Sequence, residues 1–288
     1  LADGNNVLVV DNFSTGRREN IAHHAVYGHI QVSDDDITDQ SSMEFLFHDF
    51  CPEIVCHQAA QASLLRSHQE PVLDAEINTL GTLRLMKLAE EYECKKFVFA
   101  STSAVFGGSK SLHFREGDET FPVSPYGISK CAAELYLKTS KIPTTIIRYG
   151  NVYGPRQIPV GENQLIARLL NHLYRKGDFK IYGDGSHRRD FVYVDDIARA
   201  NFAAMFSDIT GVVHAGTGNS RSVMEIVRIV CEKTGKHNPA LLEKGPEIAE
   251  PTISALGTIR ADWSALWSPL TTLEQGIQKT VDWWKVEA

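Results

Sequence analysis

A tyrosine and a lysine stand four residues apart in Ser124-Pro125-Tyr126-Gly127-Ile128-Ser129-Lys130, downstream of a hydroxyl-rich strand end, Phe97-Val98-Phe99-Ala100-Ser101-Thr102-Ser103. These residue types at this spacing can draw a proton from an alcohol while hydride leaves the same carbon. A free tyrosine is a poor base near neutral pH, its ordinary pKa being about 10. An ammonium one helical turn away lies on the same face and favours the phenolate. Bringing the phenol down to about 7 takes about 4 kcal/mol of differential stabilisation. A lysine plus the positive ring of an oxidised nicotinamide can supply it.

The pair needs a helix to hold it. Ser124 is a good N-cap, Pro125 suits the first helical position, and apolar residues at 128, 131, 132 and 135 continue the stripe. Tyr126 and Lys130 therefore belong to the first turns of one helix. Tyr92 and Lys96 share the spacing, but Tyr92 ends a helix-like run and Lys96 opens an apolar strand. The turn between them removes the common face, and they read as a solvated tyrosine and a surface lysine.

The 288 residues, 43% hydrophobic, can bury a large core in one domain or one and a half. A net charge of −7 argues against nucleic acid or an anionic membrane as main partner. No apolar run approaches bilayer length and no secretory leader is visible, which points to a cytoplasmic protein. The five cysteines include no C-x-x-C and read as reduced core thiols. No metal site is expected: the pair His23-His24 has no ligand partners at metal spacing and reads as solvated surface.

Strand-like segments at Asn6–Val10, Gly28–Val32, Glu53–His57, Lys96–Ser101 and Thr144–Tyr149 alternate with helices near Asp39–Phe50, Glu70–Tyr92 and Ser124–Thr139. The strands are near-continuous apolar runs, as a parallel sheet covered on both faces requires. The expected fold is α/β, a doubly wound Rossmann-type parallel sheet over residues 1–150, with a smaller C-terminal substrate-binding lobe over 151–288. The lobes interleave, because the helix Val194–Met205 and the strand Gly211–His214 return to the sheet. The start, Leu1-Ala2-Asp3-Gly4 through Val10-Asp11, reads as a helix end, a turn and a strand closed by an acid. In a dinucleotide-binding unit that is the second strand. The first strand and its glycine-rich loop are therefore expected to be missing, leaving backbone groups on both neighbouring strands to be satisfied.

An ordered set of segments resembles the extended short-chain dehydrogenase/reductases, in the NAD-dependent nucleotide-sugar epimerase/dehydratase branch. It comprises Val10–Gly16, Asp36-Ile37, His57–Ala62, Asn78–Thr82, Ser101–Gly107, Tyr126–Lys130, Arg148–Arg156 and Arg189–Asp196. The resemblance implies that Asp11, Asn12, Asp36, Ile37, Ala59, Ala60, Gln61, Asn78, Ser101, Tyr126 and Lys130 contact the cofactor. Asp11 on the adenosine ribose favours NAD over NADP, although Arg17 or Arg18 could accept a 2′-phosphate. The resemblance makes Thr102, Tyr126 and Lys130 catalytic, and Thr102, Tyr126, Asn151 and Arg189 substrate-binding. Arg189 would meet the diphosphate; a salt bridge with Asp190 or Asp195 is its alternative. Two departures stand out. Phe106 replaces a usual tyrosine, and Pro251–Gly257 lacks an R-x-x-G-D element upstream of Ala261-Asp262.

Relatives that eliminate water carry Asp-Glu after the catalytic threonine, whereas this chain has Ser103-Ala104. Elimination loses its acid–base equipment, while oxidation and re-reduction at one carbon do not need it. The resemblance thus implies 4-epimerisation of a nucleotide sugar, UDP-linked, through a transient 4-keto intermediate. The alternatives are reduction of a 4-keto nucleotide sugar with NAD(P)H, and a silent nucleotide-binding protein. Relatives form homodimers through the counterparts of the 70–92 and 124–139 helices.

Overall fold

The computed structural model describes residues 4–22, 24, 28–107, 113–161, 164–175, 179–236, 241–243, 253–257 and 260–287. Residues 1–3, His23 and Pro251-Thr252, which enter the sequence reading, lie outside them. The apolar segments become β1 (Val7–Val10), β2 (Ile30–Ser33), β3 (Ile54–His57), β4 (Lys96–Thr102) and β5 (Thr144–Tyr149). Between them lie helices α1 (Glu19–Ala22), α2 (Gln40–Phe50), α3 (Leu64–Gln69), α4 (Pro71–Ala75), α5 (Thr82–Glu91) and α6 (Pro125–Leu137). The chain continues through β6 (Asn151–Tyr153), α7 (Leu165–Arg175), β7 (Lys180–Tyr182), β8 (Arg188–Tyr193), α8 (Val194–Met205) and β9 (Gly211–Ala215). It then adds β10 (Ser220–Ser222), α9 (Val223–Thr234), β11 (Leu241–Glu243), β12 (Ile253–Ser254), α10 (Ala261–Leu266) and α11 (Leu273–Glu287).

Strands β3, β4, β5 and β9 form one parallel sheet in that order, and β1 pairs with β2 in a second parallel sheet. Among the described residues β1 and β3 each pair on one side only. Side-chain alternation sends Phe97, Phe99 and Ile146 to one face of the larger sheet, packed with Met43, Leu85 and Ala133. Val98, Ile147 and Val213 go to the other face, against Ile197, Ala200 and Trp263. Helices thus cover both faces, which explains why β4 reads as an unbroken apolar run. Strand β9 lies beside β5 after a long excursion. A third core unites Ile166, Leu169 and Leu170 of α7 with Ile226 of α9 and Ile277 and Trp284 of α11.

Three expectations need correction. The helix expected over Glu70–Tyr92 is broken by a π-helical turn, Glu76–Gly81, and is preceded by α3. At that turn the Thr82 hydroxyl donates to Asn78 O, 2.7 Å, and a Cβ on Gly81 would stand 2.9 Å from Ile37 Cδ1. Such back-bonding and close approach bend a helix where spacing alone predicts continuity. Lys96 is not a surface lysine: it is 4% exposed, and Nζ donates to Ser207 O, 3.1 Å, and to Ile209 O, carbonyls that follow α8. Tyr92 packs on Phe47. Of the cysteines, Cys94 and Cys131 are buried, whereas Cys51 and Cys56 are exposed, Cys56 on the edge strand β3.

The carboxylate of Asp190 ties β8 to the loop after β9 and to the segment after β12. Buried on β8, it accepts from Thr217 N (2.9 Å), Gly218 N (2.9 Å), Leu256 N (3.1 Å) and the Thr217 hydroxyl (2.5 Å). A Cβ at Gly150 would lie 2.7 Å from Asp190 O, so the step from β5 to β6 passes against β8 only without a side chain. Removing the carboxylate strands buried donors, each costing about 1–3 kcal/mol. Asp190→Ala should therefore lose about 3 kcal/mol or more in urea denaturation, and Asp190→Asn less. An unchanged midpoint for Asp190→Ala would contradict this account.

Candidate active site

The buried run of β4 ends at Thr102, whose backbone is extended (φ −149°, ψ 154°) and whose Oγ1 accepts from Ala104 N at 3.1 Å. A 3₁₀ turn, Ser103–Phe106, follows. The hydroxyl proton of Thr102 is not used by that cap. Helix α6 starts as its sequence predicts: Ser124 Oγ accepts from Gly127 N, 3.1 Å, with Pro125 in the first turn. The first turns of α6 carry half-buried Tyr126 and then Lys130, which is 2% exposed. Lys130 Nζ donates to Ala100 O, 2.9 Å, on β4 and lies 4.6 Å from the Phe99 ring centroid.

Charge and burial oppose one another here. Burial draws Lys130 down to about 8, against the pull of Asp74 and Glu134 towards the ammonium. Burial pushes the Tyr126 phenol up to about 12; a hydrogen bond with the Thr102 side chain works the other way, and the charge of Asp74 adds to the rise. The sequence predicts a lowered phenol, whereas in the protein alone desolvation outweighs the hydrogen bond with Thr102. The charge of Asp74 acts on both Tyr126 and Lys130.

One turn beyond Lys130, Glu134 accepts from Arg148 Nε (2.9 Å) and Nη2 (2.7 Å), with both side chains buried. Ser101, expected at the cofactor, donates its hydroxyl to Glu134, 2.5 Å. Asn78, expected at the cofactor, is fully buried. Its Oδ1 accepts from Gln61 N, 3.0 Å, while Nδ2 donates to Gln61 O, 2.9 Å, and Asp74 Oδ1, 3.1 Å. The Gln61 side chain donates to Asp74 Oδ1, 2.8 Å, and to Ser63 O, 2.8 Å. Asn78 and Gln61 therefore fix the loop after β3, where Ala59 and Ala60 lie half-buried.

At the end of β1, Asp11 Oδ1 accepts from Phe13 N, 2.7 Å. A Cβ on Gly16 would sit 2.7 Å from Asp11 Oδ2, so the loop closes on this carboxylate only because residue 16 lacks a side chain. Asn12 Nδ2 donates to Asp36 Oδ2, 2.6 Å, and Asp36 Oδ1 accepts from Thr38 N and Oγ1. Burial raises Asp36, but the bonds from Thr38 and Asn12 outweigh it and hold the carboxyl below its usual range. Ile37 is buried in the core beside Gly81. Arg18 pairs with Asp34 and stacks on Phe13, 4.1 Å from the ring centroid.

Thr102 pairs with Tyr149 across β4 and β5, and Gly150 then leads to Asn151 on β6. Asn151 is opposite Phe191, two residues beyond Arg189 on β8. Arg189 is half-buried and donates from Nη1 to Arg188 O, 2.9 Å. The carboxylate of Asp190, one of its two expected partners, is committed to the loop amides described above. Phe106 stacks on Phe114 at 4.4 Å between centroids in an apolar cluster with Val105 and Leu256, with Arg148 4.7 Å from its own centroid. Sequence reasoning did not find Asp74, Ser129, Glu134 or Arg148. Glu134 could have been found, being four residues past Lys130 on the same face. Among the described residues no group of three or more His, Cys, Asp or Glu side chains could hold a metal ion.

The model of the family described as "NAD dependent epimerase/dehydratase family" matches residues 1–214. The UDP-glucose 4-epimerase of Mycolicibacterium smegmatis is 33% identical over 291 residues, spanning 99% of this chain and 92% of that protein. The crystal structure of UDP-glucose 4-epimerase with UDP-glucose from Thermotoga maritima superimposes with a TM-score of 0.92 at 35% identity, covering 99% of this chain and 93% of that one. The Thermus thermophilus UDP-glucose 4-epimerase complex with NAD gives 0.91 at 35% identity, covering 100% and 93%. Together with a parallel sheet that ends on a threonine beside a tyrosine–lysine helix, these matches identify the chain as a member of the NAD dependent epimerase/dehydratase family.

Proposed function

We propose that this protein is an isomerase that inverts C4 of a nucleotide sugar, UDP-linked, using NAD. One observation carries the reading: Thr102, Tyr126 and Lys130 gather at the carboxyl end of β4, with Ser103 and Ala104 where elimination would need carboxylates. The UDP-glucose 4-epimerases above support it. The loop after β1 fits the adenosine ribose of NAD, since Asp11 offers a carboxylate oxygen over a cradle that a Cβ at position 16 would fill. Engagement of Arg18 by Asp34 supports NAD over NADP. Ala59 and Ala60 allow close backbone approach beside the nicotinamide ribose.

In this reading Tyr126, ionised, takes the proton of the C4 hydroxyl while Thr102 hydrogen-bonds to the same oxygen. Lys130, fixed on Ala100 O, stabilises the phenolate from below. When bound, NAD supplies the hydride acceptor and donor and, oxidised, a second positive charge beside the phenol. Asn151 contacts the nucleotide sugar and Arg189 its diphosphate while the 4-keto sugar turns, and Tyr126 returns its proton to the C4 oxygen as that carbon is re-reduced on its opposite face. Residues 1–150 would bind the cofactor and 151–288 the nucleotide sugar, with α8 and β9 returning to the first unit. The exposed apolar side chains Leu65, Val72 (70% exposed) and Leu80, with Ile128, Leu135 (57%) and Tyr136, support a homodimer through α3–α6. Five unpaired cysteines suit the cytoplasm, and no helix among the described residues is long and apolar enough to cross a membrane.

The protein incubated with UDP-glucose, UDP-galactose and their N-acetyl forms should interconvert at least one pair without net change in nicotinamide absorbance. No interconversion by NAD-loaded protein would defeat the proposal. Tyr126→Phe should lower kcat by about 10²- to 10⁴-fold with little change in KM. Because Lys130 is drawn down to about 8, it loses its charge as pH rises, so kcat should fall above about pH 8. A flat alkaline profile would contradict that assignment. Sedimentation of a Val72→Glu, Ile128→Glu double variant should give half the native mass, and a monomeric native protein would remove the dimer from the proposal.

A further inference from the structure

Four ionisable groups are buried around the catalytic helix α6: Asp74, Lys130, Glu134 and Arg148. Glu134 and Arg148 pair through two bonds, so their charges cancel locally. Lys130 meets Ala100 O and the face of Phe99, which suit a cation but bring no net charge. Asp74, 1% exposed on α4, is held by neutral donors only: Gln61 Nε2 at 2.8 Å, Asn78 Nδ2 at 3.1 Å and Ser129 Oγ at 2.6 Å. Both of its oxygens accept hydrogen bonds. A lone charge at this depth is costly whichever its sign. Ser129, which bonds Asp74 Oδ2, immediately precedes Lys130, so the carboxylate is tied to the same helical turn.

We infer that Asp74 is the counter-ion of Lys130, a positioning residue that keeps the buried lysine charged and so sets the pH range in which Tyr126 can act. The kinetic part of the inference rests on the proposed function. The charges of Asp74 on α4 and Glu134 on α6 act on Lys130, its own charge acts on His57 of β3, Tyr126 lies one turn before it on α6, and Arg148 of β5 is held by Glu134. His57 is drawn down to about 3 by burial and by the charge of Lys130, so it stays neutral. Glu134 is spent on Arg148 and Ser101. Asp74 is left as the charge that offsets the ammonium, and it acts on Tyr126 in the opposite sense, favouring the neutral phenol. Removing that charge lowers the pKa of both groups, so both limbs of the profile move to lower pH.

The test is the pH dependence of kcat for Asp74→Asn, which preserves volume and keeps an acceptor oxygen for Gln61 and Asn78 while the Ser129 hydroxyl turns to accept from the new amide. Its alkaline limb should move down by about one pH unit, with the rate at pH 8 falling by about tenfold and KM for the nucleotide sugar changing by less than about threefold. Asp74→Glu should restore the limb towards its native position. Ser129→Ala removes the 2.6 Å bond but keeps the charge, and should leave the limb in place. A lower plateau with unmoved limbs in Asp74→Asn, or an equal displacement in Ser129→Ala, would overturn the inference. If Asp74→Asn does not fold, Asp74→Ser carries the same comparison. Titration of the Lys130 ammonium by ¹⁵N NMR, in the native protein and the variant, reads the coupling without turnover. Inactivity of the native protein on every nucleotide sugar would count against the functional reading, whereas an unshifted Lys130 titration would count against Asp74.

Discussion

The buried pair of Glu134 and Arg148 is the constraint on which the rest of the site depends. It ties the middle of α6 to β5 by two parallel hydrogen bonds, with the Ser101 hydroxyl of β4 taking part. A helix held in this way cannot rotate about its axis, and its rotation is what determines where a tyrosine two turns earlier points. Breaking one partner would leave the other as an uncompensated buried charge, a penalty of about 3–5 kcal/mol. The pair thus converts a stability requirement into a geometric one: the first turn of α6 faces the carboxyl end of β4.

The sheet supplies the complementary half. β4 is buried on both faces, so Thr102 emerges where the helices stop covering it, next to Tyr149 of β5. Residue 150 has no side chain and can pass Asp190 O, which lets the chain turn at once into β6 and bring Asn151 to the same end. Below these groups the loop after β3 is fixed by Gln61, Asn78 and Asp74 rather than by apolar packing. A polar floor of this kind is expensive unless each group is bonded, and here each is.

Much of this was legible in the sequence because it follows from local rules. The strands are apolar runs whose ends carry turn chemistry, and α6 begins at a serine cap followed by proline. The tyrosine–lysine spacing gained meaning from that cap, just as the spacing of Tyr92 and Lys96 lost it at a helix end. What was not legible depends on contacts between distant segments. Lys96 is buried because carbonyls more than a hundred residues later meet its ammonium. Asp74 became visible only when α4 was laid beside Ser129, 55 positions away. The raised phenol of Tyr126 escaped because spacing reports the neighbouring charge but not the loss of water. The bonds that Gln61 and Asn78 make to one another, and that Ser101 makes to Glu134, likewise join segments far apart in the chain.

The π-helical turn at Glu76–Gly81 divides one rod into two phases. An α-helix advances by about 100° per residue, so one additional residue per turn swings everything after it around the axis by about that angle. Both segments pack on α6, but the one before the turn also meets the loop at 61–63, while the one after it also meets α2 and the Phe97–Phe99 face of the sheet. Excising a single position there would realign the two segments and force one set of neighbours out of register. This six-residue stretch should accordingly be intolerant of length change even where its individual side chains can be exchanged.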